Sequence, residues 1–251
     1  MRSAIFLWQS ESMNASYKGI RIDIVGSNCV GKSTLISEVI GRTKAQHLDL
    51  AQFLGNLSDG WRTTWQQYKM ILNSPSARRV CGEFVRKGNL YLARRYARYY
   101  FLHAMMLQAP RSSFDFVLID EGAIKKLYEA VPFITPENYE TERRRWIEES
   151  GHMQAFILDS IRDLTDVIIY MYVSPDEYMR RVRKREFFSG QIGEDRILAR
   201  YQLQCEIYAR LMKEAEIKGI TGYSLKCENE GEMCDQLLDL LNARLNKWGE
   251  A

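Results

Sequence analysis

The chain has 251 residues, a formal net charge of +3, and 46% hydrophobic and 27% charged residues. This composition is typical of a globular protein and excludes intrinsically disordered and collagen-like chains. A charge of +3 is too small to indicate nucleic-acid binding by itself, and no apolar run approaches the length of a membrane span.

Short apolar runs rich in β-branched and aromatic residues alternate along the chain with segments of helical pattern. The predicted strands are residues 20–25, 46–50, 114–120, 165–173 and 220–227. The predicted helices are residues 32–42, 76–108 with a break at 88–89, 137–161, 175–186, 196–218 and 230–248. This alternation predicts an α/β fold of three layers, in which helices cover both faces of a five-stranded parallel sheet. Ligands bind beyond the carboxyl ends of the strands in such sheets.

We predict a single domain over residues 19–251, preceded by a flexible extension at residues 1–18. The apolar run at residues 4–8 is too short for the core of a signal peptide. The five cysteines form no CxxC pair, so we expect reduced thiols in a cytoplasmic protein. About sixty residues separate the second and third strands, more than a crossover needs. Residues 55–110 are therefore predicted to form a helical cap over a substrate pocket.

Residues 26–33 read GSNCVGKS and match the phosphate-binding pattern G-x-x-x-x-G-K-[ST], called the P-loop. An apolar strand precedes the pattern and a helical segment follows it, which is the context that the pattern requires. Gly26 and Gly31 allow the backbone to turn its N–H groups toward phosphate oxygens, and the helix start adds a positive end. Lys32 is predicted to reach the β- and γ-phosphates of ATP as a catalytic cation, and Ser33 to bind Mg²⁺. The predicted nucleotide-binding residues are Gly26, Ser27, Asn28, Cys29, Val30, Gly31, Lys32, Ser33 and Thr34.

The third predicted strand ends in Asp120 and Glu121 after a run of apolar residues. An acid at this strand end can hold Mg²⁺ directly or through water, so Asp120 is predicted as a metal-binding and catalytic residue. The role of Glu121, also predicted as catalytic, stays open. It could act as a general base on an acceptor hydroxyl, polarise water as in ATPases, contact Mg²⁺, or stabilise a helix N-terminus.

A helix predicted to begin at residue 175 carries a dense run of cations. They are Arg180, Arg181, Arg183, Lys184 and Arg185. Arg181 and Arg185 are four residues apart and share one helix face. Such cations can neutralise a transferring phosphoryl group and exclude water. Residues 180–195 are therefore predicted to form an arginine-rich lid in which Arg181 and Arg185 are catalytic. The alternative is a solvated basic face.

Two further patterns favour structural roles. Aromatic residues at helical spacing in the cap are predicted to belong to the core more often than to a binding surface. They are Tyr91, Tyr96, Tyr99, Tyr100 and Phe101. Arg143, Arg144 and Arg145 lie among glutamates, and we expect them to form local ion pairs on an exposed helix.

With the P-loop, the acidic strand end and the arginine helix in this order, the chain resembles the P-loop nucleoside and nucleotide kinases. The thymidylate kinase branch is the most similar. The resemblance covers roughly residues 20–245 and is strongest from Thr165 to Arg185, where the strand, the proline-acid helix start and the lid arginines match. It implies the P-loop NTPase fold, ATP and Mg²⁺ as cofactors, and it is compatible with a homodimer.

On the acceptor side, the resemblance implies that an arginine contacts the acceptor's phosphate. The candidates are Arg94, Arg95 and Arg98, and Asp49 matches the acid that ends the family's second strand. Residues 120–122 read Asp-Glu-Gly, where thymidylate kinases have Asp-Arg and an aromatic residue and deoxynucleoside kinases have an acid-Arg-Ser triplet. The Glu-Pro-Gly-Gly run of the family is also missing. The donor half of the site therefore matches the family, and the acceptor half differs.

The sequence thus predicts a phosphotransferase that moves the γ-phosphoryl of ATP to a small acceptor, with a nucleoside or nucleoside monophosphate favoured. Two alternatives remain open. One is a kinase of a non-nucleotide acceptor such as a sugar, and the other is a P-loop ATPase or switch in which Glu121 activates water. The many arginines of the cap favour an anionic or nucleoside-like acceptor. Nucleic acid and membranes are not expected as partners.

Overall fold

The computed structural model of the chain describes residues 20–43, 45–49, 68–88, 90–91, 93–94, 96–98, 100–101, 116–120, 124, 134–149, 151–162, 164–185, 192–228 and 230–249. It describes only the backbone of residues 45–49, 148–149, 151–154, 230–232 and 244–249. The predicted N-terminal extension, Glu121, Arg95 and residues 186–191 of the predicted lid lie outside the described residues. In the described part of the chain, no helix combines the length and the apolar composition that a membrane span requires.

The sheet consists of parallel strands in the order β2-β3-β1-β4-β5. The strands are β1 (Ile20–Gly26), β2 (Ala45–Asp49), β3 (Phe116–Asp120), β4 (Val167–Tyr172) and β5 (Thr221–Lys226). β1 lies between β3 and β4, where the chain connections change direction, and ligands bind at such a switch point. Nearly every residue of β1, β3 and β4 is buried, as expected for apolar strands covered on both faces. The α/β fold with a parallel sheet, predicted from the sequence, is confirmed.

Helices connect the strands. They are α1 (Lys32–Arg42), α2 (Pro75–Arg86), α3 (Tyr139–Arg143), α4 (Gly151–Ile161), α5 (Pro175–Lys184), α6 (Glu194–Ile217) and α7 (Glu230–Gly249). Local signals fix several of their starts. Proline occupies the first position of α2 and α5, where its missing N–H costs no hydrogen bond. The Ser74 side chain also accepts a hydrogen bond from the Ala77 N–H at 3.3 Å, which caps α2.

Two hydrophobic cores lie on opposite faces of the sheet. The first core packs α1, α5 and α7 against one face, with Leu35, Val182 and Leu237 among its buried residues. The second core packs α2, α4 and α6 against the other face. Tyr96 and Tyr100 of the predicted cap are buried in this second core, so their predicted role in packing is confirmed. Phe101 is buried as well, but the prediction is wrong for Tyr91, which is 64% exposed. Tyr99 lies outside the described residues. The result is a three-layer arrangement with α6 contributing to both cores.

The segment predicted as one helix over residues 137–161 is divided in the structure. A 3₁₀ turn (Pro136–Asn138) leads into α3, and a π-helical stretch (Arg144–Glu149) lies before α4. The prediction of local ion pairs is wrong for Arg143, whose Nε donates to Glu206 of α6 at 2.6 Å. Arg210 of α6 donates to the carbonyl oxygen of Ile147. Contacts with α6 therefore accompany the wider helical turn, and the local sequence pattern does not encode them.

Candidate active site

The P-loop turns through three residues with positive φ. These are Gly26 at 150°, Cys29 at 67° and Gly31 at 105°. A Cβ atom on Gly26 would clash with the carbonyl oxygen of Met171 on β4, so the loop can pass this strand only with glycine there. α1 begins directly after Gly31, and among the described residues no side chain caps it and no acid lies in its first turn. The positive end of α1 is therefore uncompensated by side chains, which favours an anion.

Lys32 places its ammonium group inside the loop. The side chain is only 7% exposed. Its Nζ donates to the carbonyl oxygens of Gly26 at 3.0 Å and Ser27 at 2.9 Å. A buried ammonium requires such acceptors because it has lost its water. The loop therefore holds a cation beside the uncapped end of α1, an arrangement that suits the phosphates of a nucleotide.

The neighbouring strands β2 and β3 both end in an acidic residue. Asp120 ends β3 opposite Ile24 of β1, and Asp49 of β2 lies opposite Asp120 on the other side. Ser33 is exposed in the first turn of α1, and Asp120 is 8% exposed. A carboxylate and a hydroxyl are donors of the kind that Mg²⁺ takes together with substrate phosphates. Asp120 and Ser33 therefore fit the predicted metal site.

Arg181, which the sequence places in the lid, is bound on three sides. Its Nε donates to Glu177 at 2.6 Å, its Nη1 to the carbonyl of Val30 at 2.9 Å, and its Nη2 to the carbonyl of Cys227 at 2.7 Å. Hydrogen bonds from Arg180 and Arg181 lower the pKa of the Glu177 carboxyl to about 2, so this group stays ionised at neutral pH. Arg181 thus joins the P-loop to the loop that follows β5.

The other cations of α5 divide between a structural pair and a loop contact. Arg183 makes a double hydrogen bond with Glu194, at 2.7 and 2.6 Å, which links α5 to the start of α6. Arg185 lies against the P-loop at Cys29. Burial raises the pKa of the Cys29 thiol, and the charge and hydrogen bond of Arg185 offset part of the rise. Arg181 and Arg185 therefore face the loop from one side of α5, as their spacing predicted.

The acceptor-side candidates lie on the helical residues that follow α2. Arg94 is exposed and Arg98 is half-buried, and they are four residues apart. Between them, Tyr96 stacks on Tyr100 with ring centroids 6.2 Å apart, on the side that faces the core. Arg94 therefore lies on the exposed side of this helix, and Arg98 lies at the border of the buried side. Their contact with an acceptor stays a prediction, as do the roles of Asp49, Glu121 and Arg95.

A buried carboxyl that the sequence analysis missed lies in β1. Asp23 is fully buried, and within the described residues neither of its carboxyl oxygens has a hydrogen-bond partner in good geometry. Burial raises its pKa to about 8, and the charge of Asp120 adds to the rise. The nearby Thr165 hydroxyl offsets part of the rise, although the two groups do not meet in hydrogen-bond geometry. The isolated acid in the apolar run IRIDIV was the sequence signal for this group.

α6 supports the site through polar side chains that the sequence analysis also missed. The hydroxyl of Tyr201 donates to the carbonyl of Val173 at 2.8 Å and accepts from its N–H at 3.0 Å, just after β4 ends. One turn further, Gln204 accepts a hydrogen bond from Ser27 in the P-loop. No sequence pattern predicts these contacts, because each joins residues far apart in the chain.

Comparison with known proteins gives a likeness in structure. The chain matches no protein-family model, and no curated protein matches it in sequence. Deoxyadenosine kinase from M. mycoides with bound dATP is 16% identical with a TM-score of 0.46, and the match covers 89% of this chain and all of that one. The YorR protein from Bacillus subtilis, in complex with phosphorylated GDP, is 14% identical with a TM-score of 0.47 over 90% of this chain and 98% of that one. Both likenesses are at low identity, so the chain's own residues carry the functional proposal.

Proposed function

We propose that this protein is a kinase that transfers the γ-phosphoryl group of ATP to a small acceptor, with a nucleoside or nucleoside monophosphate favoured. The observation that carries the proposal is the buried ammonium of Lys32, which bonds to the carbonyls of Gly26 and Ser27 inside a glycine-framed loop. The uncapped start of α1 lies beside it. A cation and a helix N-terminus in one loop suit a triphosphate.

The donor chemistry follows from these groups. Lys32 would exchange its carbonyl partners for the β- and γ-phosphate oxygens, so its charge would be present where negative charge develops. Ser33 and Asp120 would hold Mg²⁺, which would supply positive charge to offset that of the ATP phosphates. Phosphoryl transfer depends mainly on positioning and electrostatics, and this loop supplies both without a covalent intermediate.

Two arginines of α5 would assist in different ways. Arg181 is tied to the P-loop and to the carbonyl of Cys227, so it would hold the nucleotide site together. Arg185 lies against Cys29 at the exposed end of α5, where it could approach the transferring phosphoryl group. The catalytic role predicted for this pair is thus assigned mainly to Arg185. Residues 180–195 would act as the lid.

The acceptor would bind at the carboxyl ends of the strands, on the side of the sheet that carries the second core. Arg94 and Arg98 share one side of their helix, a spacing that suits contact with an anionic acceptor such as a nucleoside monophosphate. Asp49 ends β2 and Glu121 follows the last residue of the neighbouring β3, at the edge where ligands of such sheets bind. Either acid could accept a proton from an acceptor hydroxyl.

The test is ATP turnover by the purified protein with Mg²⁺, alone and with separate pools of nucleosides, nucleoside monophosphates and sugars. We expect ADP release that depends on a nucleoside or nucleotide pool. Lys32→Ala should abolish it, whereas Lys213→Ala, at an exposed position of α6, should not change it. Release that depends only on sugars would replace the proposed acceptor. Equal release without any acceptor would contradict the kinase proposal and favour water activation.

A further inference from the structure

A buried hydrogen bond joins the P-loop to the middle of α6. The hydroxyl of Ser27 donates to the side-chain oxygen of Gln204 at 2.8 Å. Ser27 is 6% exposed and Gln204 is 9% exposed. Gln204 lies next to Leu203 and one turn before Tyr208, both of which are buried in the second core. An amide in such surroundings is costly unless it is hydrogen-bonded, and part of its bonding comes from the P-loop.

Ser27 is held at two points by residues that reach it from different directions. Its hydroxyl donates a hydrogen bond to Gln204, and its carbonyl oxygen accepts one from Nζ of Lys32 at 2.9 Å. Gln204 therefore fixes the residue on which the Lys32 ammonium rests. A hydroxyl has one proton to donate, so this bond also turns the Ser27 side chain toward α6.

We propose that Gln204 is a positioning residue for the phosphate loop. By holding Ser27, it keeps the loop backbone and the Lys32 ammonium in the arrangement that receives the phosphates of a nucleotide. This inference rests on the proposed function, since it requires that the loop bind a nucleoside triphosphate. Gln204 acts through Ser27 and touches no reacting atom. The hydrogen bond is preformed, so it lowers the cost of ordering the loop around its ligand.

The test is a double-mutant cycle on nucleotide binding. Affinity for Mg²⁺ with the nonhydrolysable ATP analogue AMP-PNP is measured by calorimetry for the wild type, Gln204→Met, Ser27→Ala and the double variant. Each single variant should bind about tenfold more weakly, because a buried polar partner is left unsatisfied or the loop loosens. The double variant should be no weaker than the weaker single variant, because both remove one bond. Gln202→Met, at an exposed position of the same helix, is the matched control and should bind normally.

The free energy of unfolding without nucleotide is measured on the same variants, because a purely structural bond would change it and leave the affinity unchanged. If Gln204→Met does not fold, Ser27→Thr and Ser27→Ala carry the test. The variant that keeps the hydroxyl should bind about tenfold more tightly than the one that lacks it.

Unchanged affinity in Gln204→Met, or losses that multiply in the double variant, would overturn this inference alone, provided that wild-type binding depends on Lys32. A wild-type protein that binds no AMP-PNP would overturn the proposed function together with it.

Discussion

The buried carboxyl of Asp23 makes the stability of the fold depend on pH, and Asp23→Asn should remove that dependence. On folding, the pKa of Asp23 rises from 3.8 to about 8, mainly because burial disfavours the charged form. Between these two pH values the folded protein holds a proton that the unfolded chain has released. The free energy of unfolding therefore falls as the pH rises through this window and is level above it.

The magnitude follows from the size of the shift. Each unit of difference in pKa corresponds to about 1.4 kcal/mol. Between pH 5 and pH 8 the contribution of Asp23 should therefore fall by about 4 kcal/mol. A loss of about 4 kcal/mol in the free energy of unfolding is a large share of the roughly 5–15 kcal/mol that is usual for a domain. An uncharged asparagine at this position keeps the shape of the side chain and has no such pH term.

The assay is urea unfolding, followed by tryptophan fluorescence, at several pH values from 5 to 8. It compares the wild type with Asp23→Asn and with Asp239→Asn, an exposed position on α7 that serves as the control. The stability of Asp23→Asn relative to the wild type should rise by about 4 kcal/mol across this range. The control should follow the wild type. A relative stability that stays constant within about 1 kcal/mol would show that Asp23 has found a partner that keeps it ionised, and would refute the reasoning.

Three further predictions concern the loop and its supports. Gly26→Ala should unfold the loop and abolish nucleotide binding in calorimetry, because its Cβ would meet a backbone carbonyl of β4. Normal binding by this variant would contradict the prediction. Gly41→Ala, in open space on α1, should instead stabilise the protein by about 1 kcal/mol in urea unfolding. Tyr201→Phe should lower the free energy of unfolding in urea by about 1–3 kcal/mol, because it leaves a buried backbone N–H unsatisfied at the end of β4. A loss near zero would show that water replaces the hydroxyl. Arg181→Lys should weaken AMP-PNP binding about tenfold, because lysine cannot bond to a carboxylate and two carbonyls at once. Unchanged affinity would show that these three bonds do not hold the loop for nucleotide binding.

Local patterns in the sequence predicted the nucleotide side of the fold well. α1 begins and ends where predicted, because Gly31 precedes it in the left-handed region and an extended Thr43 follows it. The strands beside the loop were found as apolar runs, and β3 ends at Asp120 as predicted. These features depend on residues that are neighbours in the chain.

The remaining features depend on contacts between distant residues. The sequence placed Arg181 on the correct face of its helix, but the two carbonyls that bind it belong to loops far away in the chain. The bond between Ser27 and Gln204 spans 177 positions, and no periodicity marks it. Asp23 stands out in the sequence as an isolated acid in an apolar run, but its full burial depends on the helices that cover β1.

The two hydrophobic cores lie on opposite faces of the sheet and pack largely different helices. α1, α5 and α7, which frame the phosphate loop, pack on one face of the sheet, and α2 and α4 pack on the other. Substitutions among the buried residues of α2 and α4 fall in a different core from the one that packs α1 behind the loop, although α6 contributes to both cores. Under the proposed function, the helices that pack near the acceptor would be free to diverge while α1 and α7 keep the loop in place. Proteins with this architecture would then differ in acceptor more than in how they hold the phosphate donor.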